Sequence, residues 1–206
     1  MKESPRSNAE QAGPAPEPAL GTRARIVRAA SLLMQRQGYD GTGIKQIAQE
    51  ADATLGSVYH FFPGGKQELA TVAIDHGDRE FAEALGAALD GADDPARAIA
   101  DFAVSLADRL AESHWVDGCP VSTTALGSVG RLPDVRSAAA RAFGHWREVV
   151  SDALVKAGIA GEDAHELAHT VISTLEGAEL AAQVSGSREP LEIAAKHLAR
   201  LVDAYR

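Results

Sequence analysis

The sequence predicts an all-α protein, with an N-terminal three-helix helix-turn-helix domain followed by a larger C-terminal helical domain. Three observations predict this class. Apolar residues recur at the spacing of amphipathic helices, no run alternates as a half-buried strand would, and Pro or Gly stands near the ends of the apolar segments. We expect an arm over 1–20, a helix-turn-helix domain over 21–66 and a second domain over 67–206.

The arm is the part of the chain with the least capacity to fold. Residues 1–20 hold four of the nine prolines and no aromatic residue. Such a segment cannot bury enough surface to offset the entropy lost on ordering. We therefore expect it to be disordered.

The helix-turn-helix domain is predicted from three helical segments. The first begins at Thr22, carries one apolar face and is expected to end at Gly38. The second and third are expected over 44–51 and 55–62, separated by a tight turn. A Pro-Gly-Gly sequence at 63–65 then ends the third helix, because Pro cannot donate a helical hydrogen bond and Gly adopts unusual dihedrals.

The second domain is predicted to contain helices only. We expect them over 66–89, 95–113, 121–130, 133–157, 162–184 and 189–205. The last two carry long apolar stripes, which must pack against another surface. That surface could be the core of one protomer, but we expect a seam between two copies of the chain. The predicted dimer-interface residues are Leu167, Val171, Leu175, Leu191, Leu198, Leu201 and Tyr205.

The composition excludes several classes of protein. Of the 206 residues, 45% are hydrophobic types and 24% are charged, which is typical of a globular protein. The sequence has no apolar run of about 18 residues and no apolar signal segment near its start, so we expect no membrane partner and no secretion. The single cysteine, Cys119, cannot form an internal disulfide, which favours a cytoplasmic location.

Charge is distributed unevenly along the chain. The net charge of −9 would by itself disfavour a nucleic-acid partner. Residues 22–66, however, carry six basic and three acidic side chains, a net charge of +3, whereas 67–206 carry 12 basic and 23 acidic side chains, a net charge of −11. A basic segment on an acidic body indicates one end for nucleic acid and another for a different partner.

The most specific motif lies over 42–69. It reads TGIKQIAQEADATLGSVYHFFPGGKQEL and strongly resembles the DNA-binding signature of the TetR family of bacterial transcriptional regulators. The resemblance implies a homodimeric repressor that binds a near-palindromic double-stranded DNA operator and is released by a small-molecule effector, without a cofactor. The residues predicted to bind DNA are Thr42, Gly43, Lys45, Gln46, Thr54, Leu55, Gly56, Ser57, Tyr59, His60 and Lys66.

The chemistry of the third helix suits this role. Thr54 is placed to cap the helix, whose exposed amides favour a phosphate. Gly56 has no side chain to hold the helix away from the groove, and Ser57 offers a hydroxyl to a base edge or a phosphate.

The residues after Ser57 have two interpretations. Tyr59 and His60 combine polar tips with apolar bodies, so they could contact DNA or fill the core. Phe61 and Phe62 are expected in the core of the small domain. Lys66 opens the fourth helix and resembles the phosphate-binding lysine of the family.

Two positions depart from the family pattern. Gly43 stands where Ser or Thr usually caps the second helix and contacts phosphate, and Leu55 stands where Lys is frequent. These departures leave open a ligand-binding protein that no longer binds DNA.

A second resemblance concerns the larger domain. Residues 62–69 and the segment 117–126, DGCPVSTTAL, resemble the LmrA/YxaF-like branch, whose members repress efflux or modification genes and respond to drug-like or flavonoid molecules. A cavity there would be lined by aromatic side chains with a few polar anchors, although core packing or helix-surface polarity explains the same residues. The carboxylate of Glu176 could select a cationic or hydroxylated ligand. The predicted ligand-binding residues are Phe102, Trp115, Cys119, Phe143, Trp146, Ser173 and Glu176.

A competing motif is the H-E-x-x-H sequence at 165–169. In zinc peptidases the two histidines of this motif bind the metal and the glutamate acts as base. A metal-dependent hydrolase that uses His165, Glu166 and His169 in these roles is therefore the alternative function. A third ligand is required, and the position that holds the third histidine of one peptidase class is occupied by Leu175. We therefore predict no metal site and no enzymatic activity.

Overall fold

The computed structural model describes residues 20–128 and 130–206, so the predicted arm lies outside the described residues except for Leu20. The described parts contain nine α-helices and no strand, which confirms the all-α class. None of these helices is both long and apolar enough to cross a membrane. The helices are α1 (Thr22–Gly41), α2 (Ile44–Glu50), α3 (Leu55–Phe61), α4 (Gly65–Asp90), α5 (Pro95–Glu112), α6 (Pro120–Leu126), α7 (Pro133–Lys156), α8 (Gly161–Ser185) and α9 (Glu189–Asp203).

Two helix ends differ from the predicted ones by three residues or more. α1 continues past Gly38, because a φ of 69° at this glycine kinks the helix instead of ending it. α6 ends at Leu126 rather than at 130. Gly127 is its C-cap, and the Ser128 hydroxyl donates to the carbonyl of Ala125 at 2.9 Å, which satisfies a carbonyl of the last turn.

The first three helices enclose a small core. Arg25 of α1 holds the turn that separates α2 from α3. Its guanidinium donates to the carbonyl oxygens of Ala51 at 2.9 Å and Asp52 at 3.1 Å, and Asp52 itself has a positive φ of 46°. This clamp ties the orientation of α2 and α3 to α1. The fully buried core residues are Ile26, Ala30, Met34, Ile47, Val58 and Phe62.

Helices α4 to α9 form the second core. α4 packs on α7, α5 packs on α9, and α8 lies against α7 and α9. At its centre the Trp146 ring lies 4.1 Å from the Phe81 ring centroid, and Phe81 lies 5.3 Å from Phe102. The indole N–H of Trp146 donates to the carbonyl of Asp78 at 3.2 Å, so the buried ring leaves no polar group unsatisfied.

Two connections join the small and the large core. α4 starts beside α3 and runs for 26 residues into the larger core, so the predicted boundary at residue 66 falls within its first turn. α6 packs along both α1 and α4. Any movement of α6 therefore reaches α1 by direct contact.

The predicted dimer stripes on α8 and α9 face the core of the protomer itself, which corrects the prediction. A side chain without accessible surface in one protomer cannot contact a second copy, so these residues are core residues. Leu201 packs partly buried against the same core, and Tyr205 is exposed near the C-terminal end. The buried members of the set are Leu167, Val171, Leu175, Leu191 and Leu198.

Candidate nucleic-acid interface and ligand cavity

The third helix begins at the predicted cap. The backbone N–H of Ser57 donates to Thr54 Oγ1 at 3.0 Å, which confirms Thr54 as the N-cap. The two hydroxyl oxygens lie 2.9 Å apart and form a hydrogen bond with each other. Thr54 is exposed and Ser57 is half-buried, so the paired hydroxyls lie at the surface where α3 begins.

One face of α3 is open to solvent. Tyr59 is 49% exposed, and Leu55, Gly56 and His60 are exposed as well, so Tyr59 and His60 are not core residues. Phe61 was expected in the core but lies partly exposed, with its ring edge against His60 at a centroid distance of 5.1 Å. It lies outside because the adjacent Val58 and Phe62 already occupy the core side of the helix.

The start of α2 is also exposed, with one exception. Gly43 is the N-cap of α2 and makes no side-chain cap, Lys45 is exposed, and Gln46 is half-buried. Thr42 is buried, and its hydroxyl donates to the carbonyl of Gly38 at 2.8 Å. Its side chain closes the end of α1 and cannot reach a phosphate, so the prediction that Thr42 contacts DNA is wrong for the side chain.

Lys66 lies between the first turn of α4 and the end of α1. Its ammonium nitrogen is 4.4 Å from the centroid of the Tyr39 ring, which is a cation–π contact. Partial burial lowers the pKa of Lys66, and the nearby carboxylate of Asp40 opposes this shift. Asp40 also accepts from Arg131 at 2.6 Å, so the lysine sits in a small charged cluster at the surface.

Two cavities lie beside α6, and both have Cys119 and Glu179 in their walls. Their volumes are about 210 Å³ and about 220 Å³. Each is smaller than a typical small-molecule site of about 300 Å³ or more, and the two adjoin at the wall residues that they share. We refer to the pair as the α6 cavity. Side chains from five helices line it, among them Gln35 of α1, Phe81 of α4, Arg109 of α5, Ser122 of α6 and Glu176 of α8.

Glu176 is incompletely paired. The Ser122 hydroxyl donates to its Oε2 at 2.5 Å. Its other oxygen, Oε1, is buried and has no hydrogen-bond partner among the described residues. Burial raises the pKa of Glu176, and the Ser122 hydroxyl and the nearby Cys119 thiol work against that rise.

Glu179 lies one turn further along α8 and is only 7% exposed. Burial raises its pKa to about 8, with a further contribution from the charge of Glu176, while Arg109 opposes the shift. Burial and the two carboxylates also raise the pKa of the Cys119 thiol. The thiol is therefore protonated and weakly nucleophilic, which is unsuitable for a redox sensor.

Two of the seven predicted ligand residues line the α6 cavity, namely Cys119 and Glu176. Phe102 and Trp146 are buried behind the cavity wall in the aromatic cluster around Phe81, which does line the cavity. The remaining three lie outside both parts of it. Phe143 packs on Trp146, while Trp115 is half-buried and Ser173 is exposed.

The loop before α6 connects the cavity to α1. Gln35 donates to the carbonyl of Gly118 at 2.6 Å, and Arg36 forms a bidentate ion pair with Asp117 at 2.5 and 2.9 Å. From the other side, Gln183 of α8 donates to the carbonyl of Val116 at 3.0 Å. The loop thus lies between the helix that bears both buried carboxylates and the helix that carries the helix-turn-helix.

Two family models match the chain. The model of bacterial regulatory proteins, tetR family, matches residues 26–72, and the model of the transcriptional regulator LmrA/YxaF-like, C-terminal domain, matches residues 95–197. The uncharacterized HTH-type transcriptional regulator YxaF of Bacillus subtilis (strain 168) is 32% identical over 181 residues, which cover 88% of this chain and 95% of that protein. The chain belongs to the TetR family.

Solved structures agree with this assignment. A TetR transcriptional regulator from Chloroflexus aurantiacus J-10-FL is 30% identical and has a TM-score of 0.72, covering 88% of this chain and 94% of that chain. The TetR family regulator CifR, whose structure contains a 26 bp double-strand operator DNA, is 22% identical with a TM-score of 0.72 and coverage of 89% and 98%. At 22% identity, the likeness to CifR shows only that the two chains share a fold.

Membership of the TetR family decides between the functions that the sequence left open. The family consists of transcriptional regulators, so the hydrolase interpretation of the H-E-x-x-H motif is wrong. The departures at Gly43 and Leu55 lie within the matched DNA-binding domain and do not remove it.

The two histidines of the motif lie on the exposed face of α8, with ring centroids 4.9 Å apart. Partial loss of hydration, the charge of Arg147 and the neighbouring His165 lower the pKa of His169. No group of three or more His, Cys, Asp or Glu side chains within 20–128 and 130–206 is placed to hold a metal ion.

Several cavity residues of this TetR-family chain were not predicted, and Glu179 is the most informative. It occupies a position in the buried stripe of α8, between Leu175 and Ala182. A glutamate in an apolar helical stripe could have indicated this site from the sequence alone, because glutamate is rarely buried unless its carboxyl group is paired. Gln35 and Asp117, and Arg36 that pairs with Asp117, gave no comparable signal, since polar residues on a helix face or a loop are ordinary surface groups.

Proposed function

We propose that this TetR-family regulator acts as a repressor that binds a near-palindromic operator as a homodimer and is released by a small molecule in the α6 cavity. The observation that carries the proposal is the loop 113–119, which lies between the cavity and α1 through the Gln35 and Arg36 contacts. A DNA-binding regulator has to meet its operator, so we also propose a cytoplasmic location.

The exposed face of α3 would enter the major groove. Tyr59 and His60 present polar groups there, and Leu55 offers an apolar contact to a thymine methyl group. Gly56 and the paired hydroxyls of Thr54 and Ser57 lie at the amino end of the helix, where backbone amides favour a phosphate.

The start of α2 and Lys66 would hold the flanking phosphates. Lys45 and Gln46 project from the first turn of α2, and Gly43 exposes its backbone amide there. Such contacts fix the position of the protein on the duplex without reading its sequence. The operator-bound CifR structure has the same fold and supports this placement by analogy.

The dimer face would be the exposed side of α8. Leu180 is 56% exposed and Val184 is 81% exposed, and the small residues Gly177 and Ala181 beside them on α8 allow close approach of a second helix. Ile193 of α9 is a further exposed apolar residue, at 50%. A twofold pairing through this face would set the distance between the two α3 helices, which must match one helical turn of DNA, about 34 Å.

Release would follow from the connection between the cavity and α1. A ligand that displaces the loop 113–119 would pull on Gln35 and Arg36, and the Arg25 clamp would carry α2 and α3 along with α1. The spacing of the two recognition helices would then no longer fit successive major grooves. The ligand can shift this equilibrium only by as much as it prefers the DNA-incompetent state.

Selection from random double-stranded DNA by the purified full chain tests the proposal. The expected result is one enriched sequence with twofold symmetry, bound by a dimer and discriminated from shuffled DNA of the same composition by at least about a thousandfold. Enrichment of no sequence, or of a single half-site bound by a monomer, would overturn it. A variant with Tyr59 and His60 replaced by Ala serves as the matched control and should lose this discrimination.

A further inference from the structure

Two carboxyl groups are buried in the α6 cavity one helical turn apart. Glu176 and Glu179 both line the part of the cavity that is about 220 Å³ in volume. One Glu176 oxygen is bonded to Ser122, and the other, Oε1, is buried and unpartnered among the described residues. An unpaired buried oxygen of this kind carries a desolvation cost that a bound donor would remove.

The surroundings neutralise this pair only in part. Arg109 of α5 lines the cavity and its charge acts on Glu179, but solvent screens this charge because the side chain is exposed. The Ser122 hydroxyl is already used by Glu176, and the Cys119 thiol is a weak donor. The walls therefore present acceptor oxygens and negative potential, with Phe81, Leu126 and Leu180 as the apolar part.

We propose that the effector of this regulator is a small organic cation whose protonated amine is held between the carboxylates of Glu176 and Glu179. The proposal rests on the proposed function, because it names the chemistry of the molecule that occupies the α6 cavity. An ammonium group supplies hydrogen bonds to Glu176 Oε1 and to Glu179, and its charge offsets the repulsion between the two carboxylates once Glu179 has lost its proton. The rest of the molecule would lie on the apolar walls.

Binding of such a cation should depend on pH. The titratable groups around Glu179 are Glu176 on its own helix, Arg109 of α5, Glu80 of α4, and Asp117 and Cys119 before α6. Because the pKa of Glu179 is about 8, the empty cavity holds a proton there at neutral pH, and an ammonium ion would displace it. Release of one proton makes the affinity rise about tenfold for each pH unit between pH 6 and pH 7.5.

The test uses three series of probes with the same skeletons and different charges. They are phenylalkylamines with two to six methylene groups, the corresponding phenylalkyl alcohols and the corresponding carboxylates. Isothermal titration calorimetry of the full chain at pH 7.5 measures the affinity of each probe. We expect at least one amine to bind at least about tenfold more tightly than its alcohol, and the carboxylates not to bind.

Matched variants locate the site. Glu176→Gln and Glu179→Gln preserve shape and hydrogen-bonding capacity, and each should weaken binding of the amine at least about tenfold. Glu179→Gln should also abolish the pH dependence. Glu83→Gln, which removes an exposed carboxylate on α4, should bind the amine as the unmodified chain does. If every alcohol binds as tightly as its amine, if no amine binds, or if Glu83→Gln has the same effect as Glu179→Gln, the proposal is wrong.

The same probes separate this proposal from the proposed function. The selected operator is titrated with the chain in the presence of each series. Release of DNA by an alcohol or a carboxylate, with no effect of the amines, would support the effector mechanism and refute the claim that the effector is a cation. Tight amine binding that requires Glu179 but leaves DNA binding unchanged would preserve the cation site and overturn its role as the effector site.

Discussion

The ionisation of Glu179 predicts how the stability of the fold depends on pH. Its side chain is 7% exposed, and its pKa in the folded chain is about 8, against an ordinary value of 4.5. The folded state therefore holds this proton more tightly than the unfolded state does. The stability that comes from the neutral carboxyl is complete below pH 4.5 and is lost as the pH rises through 8.

The size of this effect follows from the two pKa values. At about 1.36 kcal/mol for each pH unit between them, the loss is about 5 kcal/mol when the pH has risen above 8. A domain of ordinary stability has only about 5–15 kcal/mol in total, so the effect is large enough to measure. The raised pKa of Glu176 adds a change in the same direction.

Urea denaturation of the wild-type chain and of Glu179→Gln from pH 5 to pH 9 measures this contribution. The glutamine cannot ionise, so the variant should lack the decline and should exceed the wild type by about 3–5 kcal/mol in free energy of unfolding at pH 9. The two should agree within about 1 kcal/mol at pH 5. Glu83→Gln should follow the wild-type curve. Parallel curves for Glu179→Gln and the wild type would refute the assignment of Glu179 as a buried, protonated group.

Three further predictions concern DNA binding and assembly. Lys66→Ala should weaken binding to the operator and to shuffled DNA alike, as measured by fluorescence anisotropy, and should reduce the slope of log affinity against log salt by about 1. An unchanged slope would mean that Lys66 serves only the contact with Tyr39. Gly43→Ser should raise both the operator affinity and the melting temperature slightly, because its side chain would meet nothing within 4 Å and would cap α2; a fall in either would contradict an open N-cap. Val184→Glu should convert the dimer to a folded monomer in sedimentation velocity experiments, whereas Ser137→Glu, at an exposed position of α7, should not. A dimer that persists in Val184→Glu would place the interface elsewhere.

Much of the helical arrangement was predictable because Pro and Gly mark the boundaries. Pro95 and Pro133 each open a helix at a position where a backbone N–H has no partner, and the structure has them there. Gly38 shows the limit of this argument. A glycine permits a break but does not require one, and here the chain uses its positive φ to kink α1 and continue.

The dimer stripe was mispredicted for a physical reason. The periodicity of Leu167, Val171 and Leu175 shows which face of α8 is buried, but not what buries it. In the structure α5, α7 and α9 cover that face. The opposite face, with Leu180 and Val184, is less apolar in its sequence and was not singled out.

The two candidate sites differ in how far the sequence predicts them. The exposed residues of α3 were predictable, because the motif prescribes both the cap at Thr54 and the residues that follow it. The cavity was not, because its walls come from five helices that are distant in sequence. Of its acidic pair, Glu176 was predicted and Glu179 was not, although Glu179 alone interrupts the buried stripe.

Hydrogen–deuterium exchange of the full chain, with and without the selected operator, tests most directly whether the cavity and the DNA-binding surface are coupled. The amides of α2 and α3 should exchange more slowly when DNA is bound, and so should those of α1 and of the loop 113–119 beside the α6 cavity. In Arg36→Ala, which lacks the bidentate pair with Asp117, the protection of the loop should be reduced while that of α3 remains. Protection confined to α2 and α3 in the wild-type chain would contradict the coupling.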